Sequence, residues 1–483
     1  MKWFKYISGM LVAGALCCSC NNWLDVKPVD KMTEDGLYSS EKGFQRELNG
    51  VYLSMVSNAL WGENLSCGAL EVMGQHYFVN ASENSYYGLA QYRYTEENAK
   101  KRFDAIWSGV YNLIANCNIF IEKLQENREV VTPSRYELYL GEAYGLRALF
   151  HLEMLRIFGP VCSEANMEEI SIPYYDSYSP TPLPLLKVLE VVEKIDKDLD
   201  YAIKLLEKDP IRTKGIVKGE GFWDYRNARL NYYAAWILKG RLYLHVGKKE
   251  EARHIATKLL AGEDPDTGAG NHFPDIFLPV VREDLDKDRV YLSELVFYAQ
   301  NLKRDDRVYK ALFTADLETT KILAASDEFI SDLYSVEEQN DFRSMQWTTS
   351  ASHAGFRLYM KYAPVSLPAN DQEPDRYKIH PLVRLSELYL MAAETSPEDT
   401  ECLKWLEELR LMRGYQIGNT VGAVPGDLLN KEYSREYFGE GQYFFYLKRN
   451  NVSMVQSQGG NKIQMETYYQ VPLPDSEKNY RYE

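Results

Sequence analysis

Cys20 is the residue whose surroundings predict the most definite chemistry. Two lysines within the first five residues precede a mostly apolar run at 6–16, and Cys20 follows the small residue Ser19. A short basic start, an apolar core of about 7–15 residues and a small residue before the cut are typical of a secretory signal. We therefore predict that residues 1–19 are a lipoprotein signal peptide and that the Cys20 thiol is acylated, with Cys18 as the alternative.

An acyl anchor on Cys20 would place the mature chain on a membrane outside the cytoplasm. Each buried CH₂ group contributes roughly 0.8 kcal/mol, so several acyl chains hold a protein essentially permanently. The apolar run at 6–16 is shorter than the roughly 20 residues needed to span a bilayer. An ordinary secreted protein with cysteines near its cleavage site is the other interpretation.

Residue patterns of familiar catalytic sites are missing from the sequence. The chain has no His-Glu-x-x-His, Gly-x-Ser-x-Gly or phosphate-loop motif, and its seven histidines are scattered. With 70 Asp and Glu, a glycosidase-type carboxylate pair is compatible with the sequence, although nothing points to one. We expect no catalytic residues, no cofactor, and a binding protein rather than an enzyme.

The acidic stretch 284–288 begins like a calcium loop, with oxygen ligands at alternate positions. Its sixth position is Arg289, where the EF-hand turn needs glycine, and its twelfth is Leu295, where a bidentate glutamate is needed. We interpret the stretch as a solvated acidic loop and predict no metal site.

The charge balance argues against two classes of partner. The chain has 483 residues and a formal charge of −15, whereas proteins bind nucleic acid mainly through Lys and Arg on phosphates. We expect neither nucleic acid nor anionic lipid headgroups as partners.

Four cysteines outside the signal region lack metal-type spacing, and we predict that they are free, buried thiols. They are Cys67, Cys117, Cys162 and Cys402.

Apolar residues at three- and four-residue spacing predict a mainly α protein. The predicted helices cover 41–60, 96–125, 133–158, 185–207, 226–246, 249–260, 382–393 and 398–413. Strand signals are sparse, and 290–300 is the clearest extended stretch. The segments 62–95, 262–325 and 347–380 are predicted to be loops and small strands on a helical frame.

A similar helix-turn-helix sequence pattern recurs at 139–152, 236–260 and 385–413, where small residues stand next to Tyr and Leu. A small residue lets the neighbouring helix approach, and the pattern is typical of irregular tetratricopeptide helix pairs. An ordinary helical bundle is the alternative.

The chain resembles the SusD/RagB family of outer-membrane lipoproteins of Bacteroidetes over nearly its whole length. Six blocks in the family's order carry the resemblance: 20–28, 142–160, 229–244, 384–394, 435–449 and 472–477. In the third block, Gly240 stands where the family more often has alanine.

The resemblance implies a SusD-like fold, with tetratricopeptide-like helix pairs beside a loop-rich ligand-binding half. The body would cover 20–483, with an N-terminal region at about 21–215 and a C-terminal region at about 270–483. It also implies a surface lipoprotein that catches an oligosaccharide or polysaccharide and delivers it to a TonB-dependent transporter. A peptide or another nutrient as ligand, a scaffold that only gates the transporter, and a lipid-anchored hydrolase are the alternatives.

Ligand-contact candidates are aromatic, amide and charged residues of irregular segments, because aromatic faces stack on sugars while amides and charged groups bind hydroxyls. Most lie in the two loop regions that starch-binding relatives use, whereas Trp223 and Trp347 are expected on other exposed loops. The candidates are Tyr77, Asn84, Tyr86, Tyr87, Trp223, Arg307, Tyr309 and Trp347. For each of them, packing or plain exposure is the alternative. No tryptophan lies between Trp61 and Trp107, which departs from the starch-binding pattern.

Charged residues inside the resembling blocks are predicted to be structural, since buried charges are usually paired. They are Arg147, Arg241, Arg384 and Glu387.

Overall fold

The computed structural model describes residues 34–219, 221–335, 338, 340–367 and 375–482. The predicted signal peptide and Cys20 lie outside the described residues.

Helices dominate the described chain. In order they are α1 (Glu34–Tyr38), α2 (Glu41–Met55), α3 (Ala69–Met73), α4 (Tyr87–Ala90), α5 (Glu97–Glu126), α6 (Pro133–Phe158), α7 (Val188–Leu205), α8 (Ile211–Lys214), α9 (Tyr232–His245), α10 (Lys249–Leu260), α11 (Phe273–Ile276), α12 (Lys310–Leu312), α13 (Asp327–Leu333), α14 (Leu385–Thr395), α15 (Asp399–Leu411), α16 (Pro425–Tyr437), α17 (Tyr443–Arg449) and α18 (Asp475–Tyr482). The strands are β1 (Leu295–Gln300), β2 (Ala325–Ser326), β3 (Trp347–Thr349), β4 (Phe356–Tyr359), β5 (Ile379–Arg384), β6 (Met454–Gln456) and β7 (Lys462–Gln464).

Two predicted helices, α6 and α10, begin and end at the predicted residues. The helix predicted at 226–246 begins later, at Tyr232, because the Asn231 side chain accepts a hydrogen bond from the Ala234 N–H and caps it. The prediction of helix at 382–384 is wrong. These residues end strand β5, in which Arg384 pairs with Leu295 of β1.

The long helices pack in succession, in the spatial order α5, α6, α7, α9, α10, α14 and α15. The predicted pairs α9/α10 and α14/α15 are each in contact. The pattern at 139–152 is wrong as a helix pair, because these residues lie within the single helix α6, which packs against α5 and α7. Small residues permit the close approach, as predicted: a Cβ at Gly240 would lie 2.9 Å from Met391 Sδ, and one at Gly145 would lie 2.1 Å from Leu230 Cδ2.

Small sheets and loops form the other half of the molecule. Strands β1 and β5 pair antiparallel, β4 lies between β2 and β3, and β6 and β7 form a hairpin. The extended stretch predicted at 290–300 is a strand only from Leu295 onward.

The predicted structural charges are buried and paired within the protein. Arg147 binds Asp198 through Nε at 2.6 Å, and Arg241 binds Glu387 through Nε at 2.7 Å. These contacts connect α6 to α7 and α9 to α14.

A buried ion cluster surrounds Glu436 near the end of α16. Its carboxylate lies 2.6 Å from Arg384 Nη1, 2.6 Å from Arg413 Nη2 and 2.8 Å from Arg343 Nη1. The neighbouring guanidinium groups hold the pKa of Glu436 well below its usual value, although burial acts in the opposite direction. The cluster joins β5, the end of α15 and the turn at Phe342–Gln346 to one helix.

The four predicted thiols are free and buried. Burial raises the pKa of Cys162 and of Cys402 to about 11, so both are protonated at neutral pH.

Candidate ligand-binding site

The loop after α3 is fixed to the C-terminal part of the chain by one buried carboxylate. Glu71 accepts hydrogen bonds from the backbone N–H groups of Gly439 at 2.7 Å and Gly441 at 2.8 Å. Both glycines have positive φ, 76° and 70°, and consecutive N–H groups in such turns form an anion-binding concavity. This contact positions the segment that contributes half of the predicted ligand residues.

Tyr77 and Trp347 lie in a buried aromatic cluster beneath the loops. Tyr77 is 2% exposed and Trp347 is 9% exposed, and both rings pack against Phe438, with centroids at 5.5 Å and 4.6 Å. The expectation that Trp347 stands on an exposed loop is wrong. It begins strand β3 opposite Tyr359 of β4, so its ring faces the interior.

Asn84 and Tyr86 form a turn whose side chains point inward. Asn84 Oδ1 accepts from the Tyr86 N–H at 2.9 Å, which is a local asparagine turn. The Tyr86 hydroxyl donates to Glu63 Oε1 at 2.5 Å, and the Arg102 guanidinium lies 3.7 Å from the Tyr86 ring centroid. Tyr86 is 2% exposed, and one face of its ring is covered by a cation.

These contacts belong to a partly exposed set of polar groups that we call the Glu63 cluster: Asn58, Glu63, Asn64, Ser85, Tyr86 and Arg102. Arg102 Nη1 donates to Glu63 Oε1 at 3.0 Å and to Asn64 Oδ1 at 2.9 Å, and Nη2 donates to Ser85 Oγ at 3.0 Å. Side-chain exposure is 17% for Arg102 and 13% for Glu63. Carboxylate, amide and guanidinium groups fixed in this way can bind hydroxyls in defined directions.

Two further candidates border the Glu63 cluster. Asn58 Nδ2 lies 3.5 Å from the backbone oxygen of Arg307, whose side chain is exposed. Tyr87 is half-buried, and Arg93 lies 5.6 Å from its ring centroid. The structure thus brings together Asn84, Tyr86, Tyr87 and Arg307 from separate segments of the sequence.

Tyr309 lies near the border of the cluster, whereas Trp223 lies elsewhere. Tyr309 shares the π-helical turn Asp305–Tyr309 with Arg307, and its hydroxyl lies 3.7 Å from Met360 Sδ. Trp223 lies 5.9 Å from the guanidinium of Arg135 at the start of α6. Phe158, at the other end of that helix, packs against Phe103, which follows Arg102 of the Glu63 cluster in α5. At 1.5 Å per residue these ends are about 35 Å apart, so Trp223 is separate from this site.

Sequence reasoning missed a cleft between the loop at 75–91 and the β6–β7 hairpin. Phe78, Gln91 and Asn461 are among its lining residues. Gln458 connects the two sides, because its Oε1 accepts from the Ser326 N–H at 2.6 Å and its Nε2 donates to the His76 oxygen at 2.5 Å. The glycines at 459 and 460 indicate a hairpin turn, but nothing local relates that turn to residues almost 400 positions earlier.

Ser434, His76 and Glu71 have the contacts of a catalytic triad. His76 Nδ1 lies 2.5 Å from Glu71 Oε1, and Nε2 lies 2.9 Å from Ser434 Oγ. The His76 ring is stacked between Phe438 and Tyr443, each with its centroid at 4.5 Å, and all three triad-like residues are buried. A nucleophile must reach its substrate, so we interpret this set as a link between α16 and the α3 loop.

Comparisons with known proteins agree on one family. Residues 22–215 match the SusD-like family model described as "Starch-binding associating with outer membrane". A SusD-like protein of Formosa agariphila is 21% identical over 515 residues, which cover 94% of this chain and 93% of the relative. A SusD superfamily structure from Bacteroides thetaiotaomicron superposes with a TM-score of 0.71 at 20% identity, covering 91% of this chain and 98% of that chain. Residues 22–215 therefore resemble the SusD-like family, and the chain has the SusD-like fold.

A laminarin-binding SusD-like protein has the same fold, with a TM-score of 0.66 at 16% identity, covering 92% of this chain and 98% of that chain. The resemblance inferred from the six sequence blocks is confirmed, as is the mainly α, SusD-like fold. The division near residues 215 and 270 stays a prediction. Within the part of the chain that the structure describes, no helix is both long and apolar enough to cross a bilayer.

Proposed function

We propose that this protein binds a nutrient glycan at the cell surface and delivers it to a TonB-dependent outer-membrane transporter, held at the outer membrane by a lipid on Cys20. The match of residues 22–215 to a family described as starch-binding and outer-membrane associated carries the proposal. The laminarin-binding neighbour adds a second glycan ligand within the same fold.

The Glu63 cluster is the proposed contact surface for the glycan. It combines a carboxylate, two amides and a guanidinium whose mutual hydrogen bonds fix their directions, and Tyr87 and Arg307 at its border supply an aromatic ring and a cation. Polar groups fixed before binding lose less conformational freedom when a ligand binds. Tyr309 remains a candidate near Arg307. Because Tyr77 and Trp347 are buried, we infer that they support these loops.

Removal of the Arg102 guanidinium is expected to weaken glycan binding about tenfold or more, because a hydrogen bond from a charged group contributes about 1.5–3 kcal/mol. Affinity electrophoresis of the purified protein against laminarin, starch and a panel of plant, host and microbial polysaccharides measures this. We expect retardation of the wild type by at least one polysaccharide and weaker retardation of Arg102→Ala and Tyr87→Ala.

The matched control is Arg282→Ala, at an exposed arginine in the turn Arg282–Asp284, which should migrate like the wild type. Equal retardation of Arg102→Ala and wild type would remove the Glu63 cluster as the contact surface. Lack of retardation by every polysaccharide would contradict the glycan ligand.

A cationic peptide is the second candidate ligand, and the formal charge of −15 favours it. Attraction between opposite charges is screened by salt, so peptide affinity would fall as ionic strength rises, whereas binding of a neutral glycan would not.

Loss of a palmitate label in Cys20→Ser tests the anchor, and co-purification with a barrel transporter from outer membranes tests delivery.

A further inference from the structure

A second pocket lies far from the Glu63 cluster along α5, where the segment at 173–184 crosses that helix. Its cavity has a volume of about 240 Å³. Its walls include Tyr111, Ala115, Asn118, Tyr175, Tyr178 and Pro182. We call it the strap pocket. The sequence patterns singled out no ligand residue in this segment.

The strap that forms this pocket is held by hydrogen bonds at several points. Asn118 Nδ2 donates to the backbone oxygens of Tyr175 at 3.0 Å and Ser177 at 3.1 Å. The buried Arg147 donates through Nη1 to the Asp176 backbone oxygen at 2.7 Å. The Tyr111 hydroxyl donates to the Pro173 backbone oxygen at 3.0 Å. The pocket is therefore formed before any ligand arrives.

The chemistry of the walls indicates an uncharged ligand with both apolar and hydroxyl faces. Three tyrosine rings and two prolines provide apolar surface, and hydroxyl side chains stand beside them. Among the residues that the structure describes, no charged side chain lines this pocket, although the chain as a whole has a formal charge of −15. Tyr178 is 53% exposed, so its ring is accessible to solvent and ligand.

We propose that the strap pocket binds one neutral pyranose unit of a glycan, as a second contact point apart from the Glu63 cluster. The C–H face of the sugar would lie on the tyrosine rings, and its hydroxyls would bond to the hydroxyl groups of the strap. A charged ligand would find no opposite charge among the walls. The proposal rests on the glycan function proposed above, because it assigns the same class of ligand to a second site.

Saturation-transfer NMR with glucose, galactose and mannose at millimolar concentration tests the strap pocket directly in the purified protein. We expect signal transfer to at least one of these sugars in the wild type and in Arg102→Ala. In Tyr178→Ala we expect about tenfold weaker binding, as for loss of an aromatic stacking partner. Tyr201→Ala, at an exposed tyrosine of α7 outside the pocket, is the control.

Three results would overturn the strap pocket as a sugar site. The first is no signal transfer to any of the three sugars. The second is equal signal transfer in Tyr178→Ala and wild type. The third is a proline-rich peptide that binds more tightly than the sugars and displaces them from the pocket. Tyr178→Ala could still be retarded by a polysaccharide while no monosaccharide shows signal transfer. That result would support the glycan function and reject the second site. Conversely, signal transfer to a sugar could depend on Tyr178 although no polysaccharide retards the protein. That result would support the strap pocket and reject the proposed function.

Discussion

Glu436→Gln is expected to lower the free energy of unfolding by about 3–5 kcal/mol, the usual effect of removing one partner from a buried ion pair. The substitution keeps the shape of the side chain but removes the charge that faces Arg343, Arg384 and Arg413. The three buried guanidinium groups would then repel one another without the negative charge of Glu436 between them. Urea unfolding followed by circular dichroism measures the change.

Glu193→Gln is the matched control, because Glu193 is an exposed residue of α7, where substitutions usually change stability by less than about 0.5 kcal/mol. Equal stability of the two variants would show that the Glu436 cluster contributes little.

The same cluster predicts a pH dependence with a definite sign. The folded pKa of Glu436 lies well below the ordinary value of 4.5, so its stabilising effect is complete above about pH 4.5. As the pH falls further, the unfolded chain takes up the proton first and the stabilisation is lost. The stability difference between wild type and Glu436→Gln should therefore narrow from pH 6 to pH 3. A constant difference over this range would contradict the assignment.

Gly441→Ala is expected to destabilise the protein by about 3 kcal/mol and to weaken glycan binding. Gly441 has a φ of 70°, which costs a non-glycine residue about 1–2 kcal/mol. A Cβ there would also lie 2.8 Å from the Ser66 backbone oxygen, and such overpacking costs about 1–3 kcal/mol. The segment that must move holds Glu71 and continues from Glu63. Thermal unfolding and affinity electrophoresis measure the two effects.

Gly422→Ala separates backbone strain from the clash. Gly422 has a similar φ of 78°, but a Cβ there would have no neighbour within 4 Å, so we expect a loss of about 1 kcal/mol and unchanged binding. If both alanine variants lost the same stability, the contact between Gly441 and the loop would be unimportant.

Local sequence features were sufficient for the long helices. Apolar spacing near 3.6 residues predicted α6 and α10 to the residue, helped by Pro133 at the first helical position of α6. The small residues that let helices approach, such as Gly240 against Met391, were also recognisable. In α10 these signals match a pattern of exposed and buried positions, whereas α6 is buried along almost all of 138–158.

Burial inside the loop-rich half was beyond local reasoning. Tyr77 and Trp347 were predicted as ligand contacts, yet they meet in one buried cluster around Phe438. The three residues are separated by more than 90 positions in sequence, and loops lack the periodicity that marks a buried face. Tyr175 and Tyr178, which line the strap pocket, were missed because their segment also lacks such periodicity.

The sequence by itself determined the signal pattern, the helical frame and the family resemblance, since each is a property of contiguous residues. Only the tertiary structure decided which charges meet and which aromatic rings stay accessible. Glu436 meets Arg343, Arg384 and Arg413, and Glu63 meets Arg102 and Tyr86. Such contacts depend on how distant segments pack, because a buried charge is tolerated only where the fold brings it a partner.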